Sequence, residues 1–187
     1  MTSLSTAQRT MAMKPLSILR TDTPLGPVTL AASAQGLCGL WFDDQQHGPT
    51  AADQQHWTPD DGHPWLQSTA RHLEAYFAGK QPVWNLPLDL SAGTAFQQAV
   101  WQALLTIDCG HSLSYGGLAA QLNKPQAVRA VGAAVGRNPV GIIVPCHRIL
   151  GARGQLTGYA GGLWRKQALL KLEGHPVAAS LPSSLFE

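Results

Sequence analysis

Residues 114–136 read SYGGLAAQLNKPQAVRAVGAAVG, and this stretch decides the fold of the chain's second half. Ser114 is a good N-cap, because its hydroxyl can accept from an orphan backbone N–H, and it predicts a short helix over Tyr115 to Leu122. Asn123-Lys124 then makes a turn. Pro125 suits a helix start, where its missing N–H costs nothing, and predicts a second helix running to about Gly136. Two short helices joined by a tight turn form a helix-turn-helix pattern, which serves both plain helical hairpins and DNA-binding modules. Val128, Val131 and Val135 make one stripe of the second helix, its expected core face. The other side carries Arg129, Gly132, Ala133 and Gly136. Glycine costs a helix about 1 kcal/mol relative to alanine, so two on one exposed face need a reason. Close packing on a neighbouring element is one. Close approach of a nucleic-acid backbone, with Arg129 projecting from the bare surface, is the other.

Toward the C-terminus, Asn138-Pro139 breaks the helix, and Gly141 to Val144 predicts a short buried strand that delivers Pro145-Cys146-His147-Arg148. Free cysteines are among the most buried residue types, and Cys38 and Cys109 fit that description. Cys146 lies beside a histidine and an arginine, and nearby positive charge or an acid–base partner is what produces a reactive thiolate at neutral pH. Neighbours in extended chain point to opposite faces. Proton transfer to His147 then calls for a bridging water or a bend at Pro145. An imidazole base also needs an orienting carboxylate. The second half offers only Asp108, Glu173 and Glu187. Asp108 ends an earlier helix and Glu187 is terminal, which leaves Glu173, at the end of a helix predicted over Leu163 to Leu172. Between these elements lie a tight reversal around Gly151-Ala152-Arg153-Gly154 and the glycine-dense loop Gly158-Tyr159-Ala160-Gly161-Gly162.

Toward the N-terminus, Thr94-Ala95-Phe96-Gln97 is a capping-box pattern, continued by Val100, Ala103, Leu104 and Ile107 as an amphipathic helix. Ser91-Ala92-Gly93 reads as a domain boundary and coincides with a charge reversal: residues 1–93 carry a net −3 and residues 94–187 a net +5. A basic second half suggests a polyanionic partner. In the first half, Leu16–Thr21, Val28–Ala32 and Leu37–Phe42 predict a β-meander, punctuated by Thr23-Pro24-Leu25-Gly26-Pro27 and Ala34-Gln35-Gly36. Asp43 to Gly62 reads as a loop, Pro64 to Ala78 as a helix stopped by Gly79, and Pro82 to Leu90 as one further strand. The expected organisation is a disordered lead-in over 1–14, an α/β domain over 15–92, a second domain over 93–176 and a tail over 177–187.

Composition narrows the class. Of 187 residues, 44% are hydrophobic and 13% charged, against roughly 25% charged in ordinary globular chains, which excludes charge-rich disorder. No apolar run approaches the ~20 residues of a bilayer span. Met1 to Lys14 has no apolar h-region, so no signal peptide is expected. Three cysteines without a CxxC exclude a disulfide scaffold and a four-cysteine zinc site. A reducing, cytoplasmic location is the expectation.

The segment Ile142-Ile143-Val144-Pro145-Cys146-His147-Arg148-Ile149 resembles the active-site signature of the O6-alkylguanine-DNA alkyltransferases, also called methylated-DNA–protein-cysteine methyltransferases. Ser114-Tyr115, Arg129-Ala130-Val131-Gly132, Gly136-Arg137-Asn138-Pro139, Gly158-Tyr159-Ala160-Gly161-Gly162, Leu172-Glu173-Gly174-His175 and Thr23-Pro24-Leu25-Gly26-Pro27 resemble family segments too, so the likeness covers roughly residues 16 to 176. It implies a ribonuclease H-like α/β domain with a small antiparallel sheet, packed on a winged-helix or helix-turn-helix-like domain. It implies repair of DNA by one irreversible transfer of an alkyl group from guanine O6 to Cys146, with thymine O4 left open as a second substrate. His147 would be the base through a water, Glu173 would hold the imidazole, and Asn138 would tie the recognition helix to the active-site turn. Tyr115 would press on a phosphate during base flipping and donate to the guanine ring. Arg129 would fill the vacated stack. Lys124, Gln126 and Ala127 would meet the backbone, and Gly132 and Ala133 would allow close approach in the minor groove. Val144, Ile149, Tyr159, Ala160 and Gly161 would form the base pocket, with Ala160 standing where some relatives carry a serine. No cofactor is implied and no metal, since Cys38 is the only cysteine of the first half. The partner would be duplex DNA, bound by a monomer, with cooperative assembly left open.

Two other classes compete with this reading. A helix-turn-helix repair module without chemistry would bind DNA and transfer nothing. A cysteine hydrolase built on Cys146, His147 and Glu173 would turn over.

Overall fold

A computed structural model describes residues 15–80 and 83–176. The expected lead-in and tail, and Pro82, lie outside the described residues.

Three strands form where alternation and turn chemistry place them: β1 (Leu16–Thr21), β2 (Val28–Ala32) and β3 (Leu37–Phe42), paired antiparallel in succession. The segment 43–62, expected as a loop, is partly regular. It contains a four-residue helix, α1 (Ala51–Gln54), and a short strand, β4 (Trp57–Pro59). The sheet order is β3-β2-β1-β4, and β4 runs parallel to β1, so the sheet is mixed rather than purely antiparallel. Thr50 caps α1 in a reciprocal box with Asp53. No strand forms within 83–90. That segment contributes one bridge, Leu37 to Leu88, and is otherwise irregular.

Helix α2 (Pro64–Phe77) packs on β1 and β2, with Leu66 and Leu73 in the core. Helix α3 (Ala95–Leu104) starts on the Thr94–Gln97 capping box and stops a turn earlier than its apolar pattern, with Ile107 held in the following turn. A two-stranded pair, β5 (Leu113–Ser114) and β6 (Ile149–Leu150), runs parallel beside helix α4 (Tyr115–Gln121). Ser114 Oγ accepts from the Gly117 N–H at 2.9 Å, as a cap should. Pro125–Ala127 is a single 3-10 turn, so helix α5 is regular only over Val128–Gly136. That late start leaves Val128 36% exposed, and the buried stripe is Val131, Ala134 and Val135. The Trp101 indole N–H donates to the Ala134 carbonyl at 2.9 Å and fixes α3 against α5.

The two halves share one apolar core, in which Leu37, Leu40 and Phe42 join Val140, Ile142, Val144, Ile149 and Leu169. They are also stitched by backbone. Leu40 donates to the Pro139 carbonyl at 2.9 Å, and Gly141 donates back to Leu40 at 3.0 Å. The edge of β3 is therefore covered by the chain just before the Pro145-Cys146 turn. Helix α6 (Leu163–Leu172) closes the structure, with Gly174 at φ +73° just beyond it.

Candidate active site and nucleic-acid interface

The strand expected over Gly141 to Val144 is instead a turn, and Ile142 sits at φ +67°, a strained conformation for a β-branched residue. Asn138 explains how it is held. Its Nδ2 donates to the Val144 carbonyl at 2.7 Å, and its Oδ1 accepts from the Val140 N–H at 3.0 Å. The same Nδ2 lies 3.2 Å from Cys146 Sγ. One buried amide thus ties the end of α5 to the cysteine. Cys146–Arg148 is a 3-10 turn, so the side chains of Cys146 and His147 are not displayed as in a strand.

Cys146 is 8% exposed. Burial pushes its thiol up, opposed by the Asn138 hydrogen bond and the charge of Lys166. His147 is fully buried, and burial pushes its pKa down, so it is neutral at pH 7. Its Nε2 donates to Glu173 Oε1 at 2.9 Å, which leaves Nδ1 as the basic nitrogen, and Nδ1 has no protein partner. Arg148 grips the same carboxylate from a second side, Nε to Oε2 and Nη2 to Oε1, each at 2.8 Å. Its Nη1 donates to the Ile107 carbonyl. The Tyr76 hydroxyl donates to Oε1 at 2.8 Å. Burial works to raise the Glu173 pKa, but the donors His147 and Arg148 overcome it and hold the carboxyl well below the usual range.

Arg148, expected from the sequence as positive charge beside the cysteine, instead pairs with Glu173, and Lys166 and Tyr76 join the site with no role expected from the sequence. Lys166 is fully buried, and Nζ donates to the carbonyls of Ile149, Thr157 (2.7 Å) and Gly158 (3.2 Å). Burial lowers its pKa to about 8. A signal was available: Lys166 lies seven positions before Glu173, on the same helical face.

Tyr115 is half-buried, and its hydroxyl is 3.5 Å from the Thr157 carbonyl, at the limit of a hydrogen bond. Tyr159 is half-buried and Gly161 buried. A Cβ on Gly161 would stand 2.8 Å from the Tyr159 ring and 3.2 Å from Phe42, so glycine is required there. The Ala160 carbonyl accepts from the Gln46 N–H at 2.8 Å. Val144 and Ile149, expected to line a base pocket, have no exposed surface and belong to the core behind Cys146. Lys124, Gln126, Arg129 and Ala133 are exposed on one side of the helix pair, with Ala127 and Gly132 half-buried beside them. A Cβ on Gly132 would meet only the Tyr115 ring at an ordinary 3.7 Å, and one on Gly136 would meet nothing within 4 Å. Packing within the protein therefore does not require either glycine.

The sequence profile of the 6-O-methylguanine DNA methyltransferase ribonuclease-like domain matches residues 19–90, and that of the 6-O-methylguanine DNA methyltransferase DNA binding domain matches residues 95–175. The chain belongs to the 6-O-methylguanine DNA methyltransferase family. A Mycobacterium tuberculosis methylated-DNA–protein-cysteine methyltransferase is 49% identical over 166 residues, which cover 89% of this chain and 96% of that one. One from Haemophilus influenzae is 44% identical over 155 residues, covering 82% of this chain and 84% of the relative. The crystal structure of Mycobacterium tuberculosis OGT in complex with DNA matches with a TM-score of 0.79 at 46% identity, covering 91% of this chain and 99% of that chain. Among the described residues of this methyltransferase, no group of three or more His, Cys, Asp or Glu side chains is placed to hold a metal ion, and no helix is long and apolar enough to cross a membrane.

Proposed function

We propose that the protein repairs alkylated DNA directly, moving the alkyl group from guanine O6 in a duplex onto Cys146 and ending as a thioether. The observation that carries this reading is a buried thiol, held 3.2 Å from Asn138, in the same turn as a neutral imidazole anchored to a buried carboxylate. The cysteine proton passes to His147 Nδ1 through a water. The sulfur then bonds to the saturated alkyl carbon as the carbon–O6 bond breaks, and the electron pair leaves with the guanine. The Tyr115 hydroxyl donates to that departing base. Displacement at saturated carbon forms no tetrahedral oxyanion, so no oxyanion hole is needed. Water does not readily cleave the thioether, so each molecule acts once.

A stacked base cannot reach a sulfur this deep, so the nucleotide is flipped out at a cost of a few kcal/mol. Arg129, exposed on α5, takes the vacated place, as inserted side chains do in bent or opened duplexes. The bare surface at Gly132 and Gly136 lets the minor-groove backbone approach α5, while Lys124 and Gln126 hold phosphates without reading sequence. We place the protein in the cytoplasm as a monomer, where a reducing environment keeps the thiol free.

Incubation with duplex DNA carrying labelled O6-methylguanine tests the reading. Label moves to the protein and stops at one equivalent. No transfer rejects the proposal, and transfer that survives Cys146→Ser assigns the chemistry to another atom.

A further inference from the structure

Tyr76 lies on α2, in the ribonuclease-like half, 97 positions before the carboxylate it touches. The helix that carries it is anchored by Leu66 and Leu73 in the core. Its ring packs edge-on to Phe77 with centroids 5.4 Å apart and tilted against Trp84 at 6.1 Å. A rigid element therefore delivers the hydroxyl to Glu173 Oε1.

That oxygen carries three donors: Tyr76 Oη, His147 Nε2 and Arg148 Nη2. Oε2 receives Arg148 Nε. A carboxylate oxygen offers about two lone-pair directions, so the donors on Oε1 compete. Each one draws negative charge away from the others. The hydrogen bond from Tyr76 thus does two things. It fixes the rotation of the carboxylate toward His147, and it weakens the pull of Glu173 on the imidazole. Burial pushes the Tyr76 phenol far above its ordinary pKa, so it remains a donor at every working pH.

We propose that Tyr76 is a positioning residue of the proton relay, through which the N-terminal domain sets the orientation of Glu173 and the basicity of His147. The inference rests on the reading of Cys146 as acceptor and His147 as its base. It also gives the N-terminal half an influence on the chemistry through Glu173, beyond covering the core.

The groups that face this network come from every element around it. Cys146 and Arg148 share the turn of His147, Lys166 comes from α6, and Glu173 and the titratable His175 come from the residues just after it. Tyr76 comes from α2, Cys109 from the turn after α3, and Tyr159 from the glycine-dense loop before α6. Tyr76→Phe alters only one hydroxyl among them.

The test compares wild type and Tyr76→Phe in single-turnover transfer from O6-methylguanine duplex across pH, with binding of the same duplex measured in the Cys146→Ser background. The acid limb of the rate profile, where His147 becomes protonated, should move up by as much as about one pH unit, the equivalent of one charge-assisted hydrogen bond. The rate at neutral pH should fall roughly three- to tenfold, with duplex affinity unchanged. A nitrogen NMR titration of the His147 ring gives the second readout, and its midpoint should rise in the variant. A rate profile and ring titration that superimpose on wild type overturn the inference. So does a rate loss uniform in pH that merely follows a loss of thermal stability. A wild-type protein that transfers nothing would instead sink the underlying function, and the ring titration would still decide the coupling of Tyr76 to His147.

Discussion

Replacing Glu173 by glutamine removes one charge from the most heavily bonded side chain of the site while keeping its size. The carboxylate is 1% exposed and its partner Arg148 12%. Glutamine keeps one oxygen, but its amide nitrogen would face donors from Arg148. The guanidinium would then remain in the interior without its counter-charge. Breaking a buried pair from one side costs about 3–5 kcal/mol, and for a protein of this size that lowers Tm by roughly 6–20 °C. The pH dependence follows from the depressed carboxyl. An unfolded chain takes up a proton near the ordinary value of 4.5, while the folded protein resists it. The stabilisation from Glu173 is therefore complete above pH 4.5 and drains away as pH falls toward the folded-state value. The gap in Tm between wild type and Glu173→Gln should be widest near neutrality and shrink in acid. Differential scanning calorimetry over a pH series measures both quantities. In the same variant the alkyl-transfer rate should fall on the order of 100-fold or more, as expected when a general base loses its orienting partner. Equal Tm at pH 7, or a gap that does not depend on pH, would refute the electrostatic reasoning.

Lys166→Met strands the carbonyls of Ile149, Thr157 and Gly158, and denaturant titration should show a loss of roughly 1–3 kcal/mol. The folded lysine releases its proton near pH 8 and the unfolded one near 10.5, so wild type should gain stability relative to this variant as pH rises through that window. Arg129→Ala should slow repair of duplex DNA by roughly 10-fold or more, the scale of a lost offset to base flipping, yet leave reaction with the free modified base nearly unchanged. Equal losses on both substrates would remove Arg129 from the flipping step. Gly132→Ala should stabilise α5 by up to about 1 kcal/mol while weakening duplex binding, and a thermal melt with a filter-binding titration reads the two opposed signs.

Much of this architecture was legible because local chemistry and burial agreed. Ser114 and Thr94 cap helices as their side chains dictate, and the three strands of the meander fall between their turn residues. The fourth strand was not legible, because Trp57–Pro59 buries little and contains a proline, and it exists through pairing with β1. Thr50-Ala51-Ala52-Asp53 did carry the capping signal for α1. The Gly141–Val144 run is apolar because it is buried, and it turns because the Asn138 amide bonds the backbone of Val140 and Val144, a side-chain-to-backbone constraint that periodicity does not encode. At the site, Cys146, His147, Glu173 and Asn138 converge as marked from the sequence. Lys166 was obscured by the polar look of Trp164-Arg165-Lys166-Gln167, in which the last three are buried with backbone or ion-pair partners for both cations. Tyr76 was invisible because its partner lies in the other domain.

The most direct measurement is peptide mass spectrometry after incubation with a duplex holding a single O6-methylguanine. The expected result is one methyl group on the peptide that contains Cys146, in proportion to lesion consumed, with Cys38 and Cys109 unmodified. Loss of the lesion with that peptide unchanged, or a methyl group on a different residue, would contradict it.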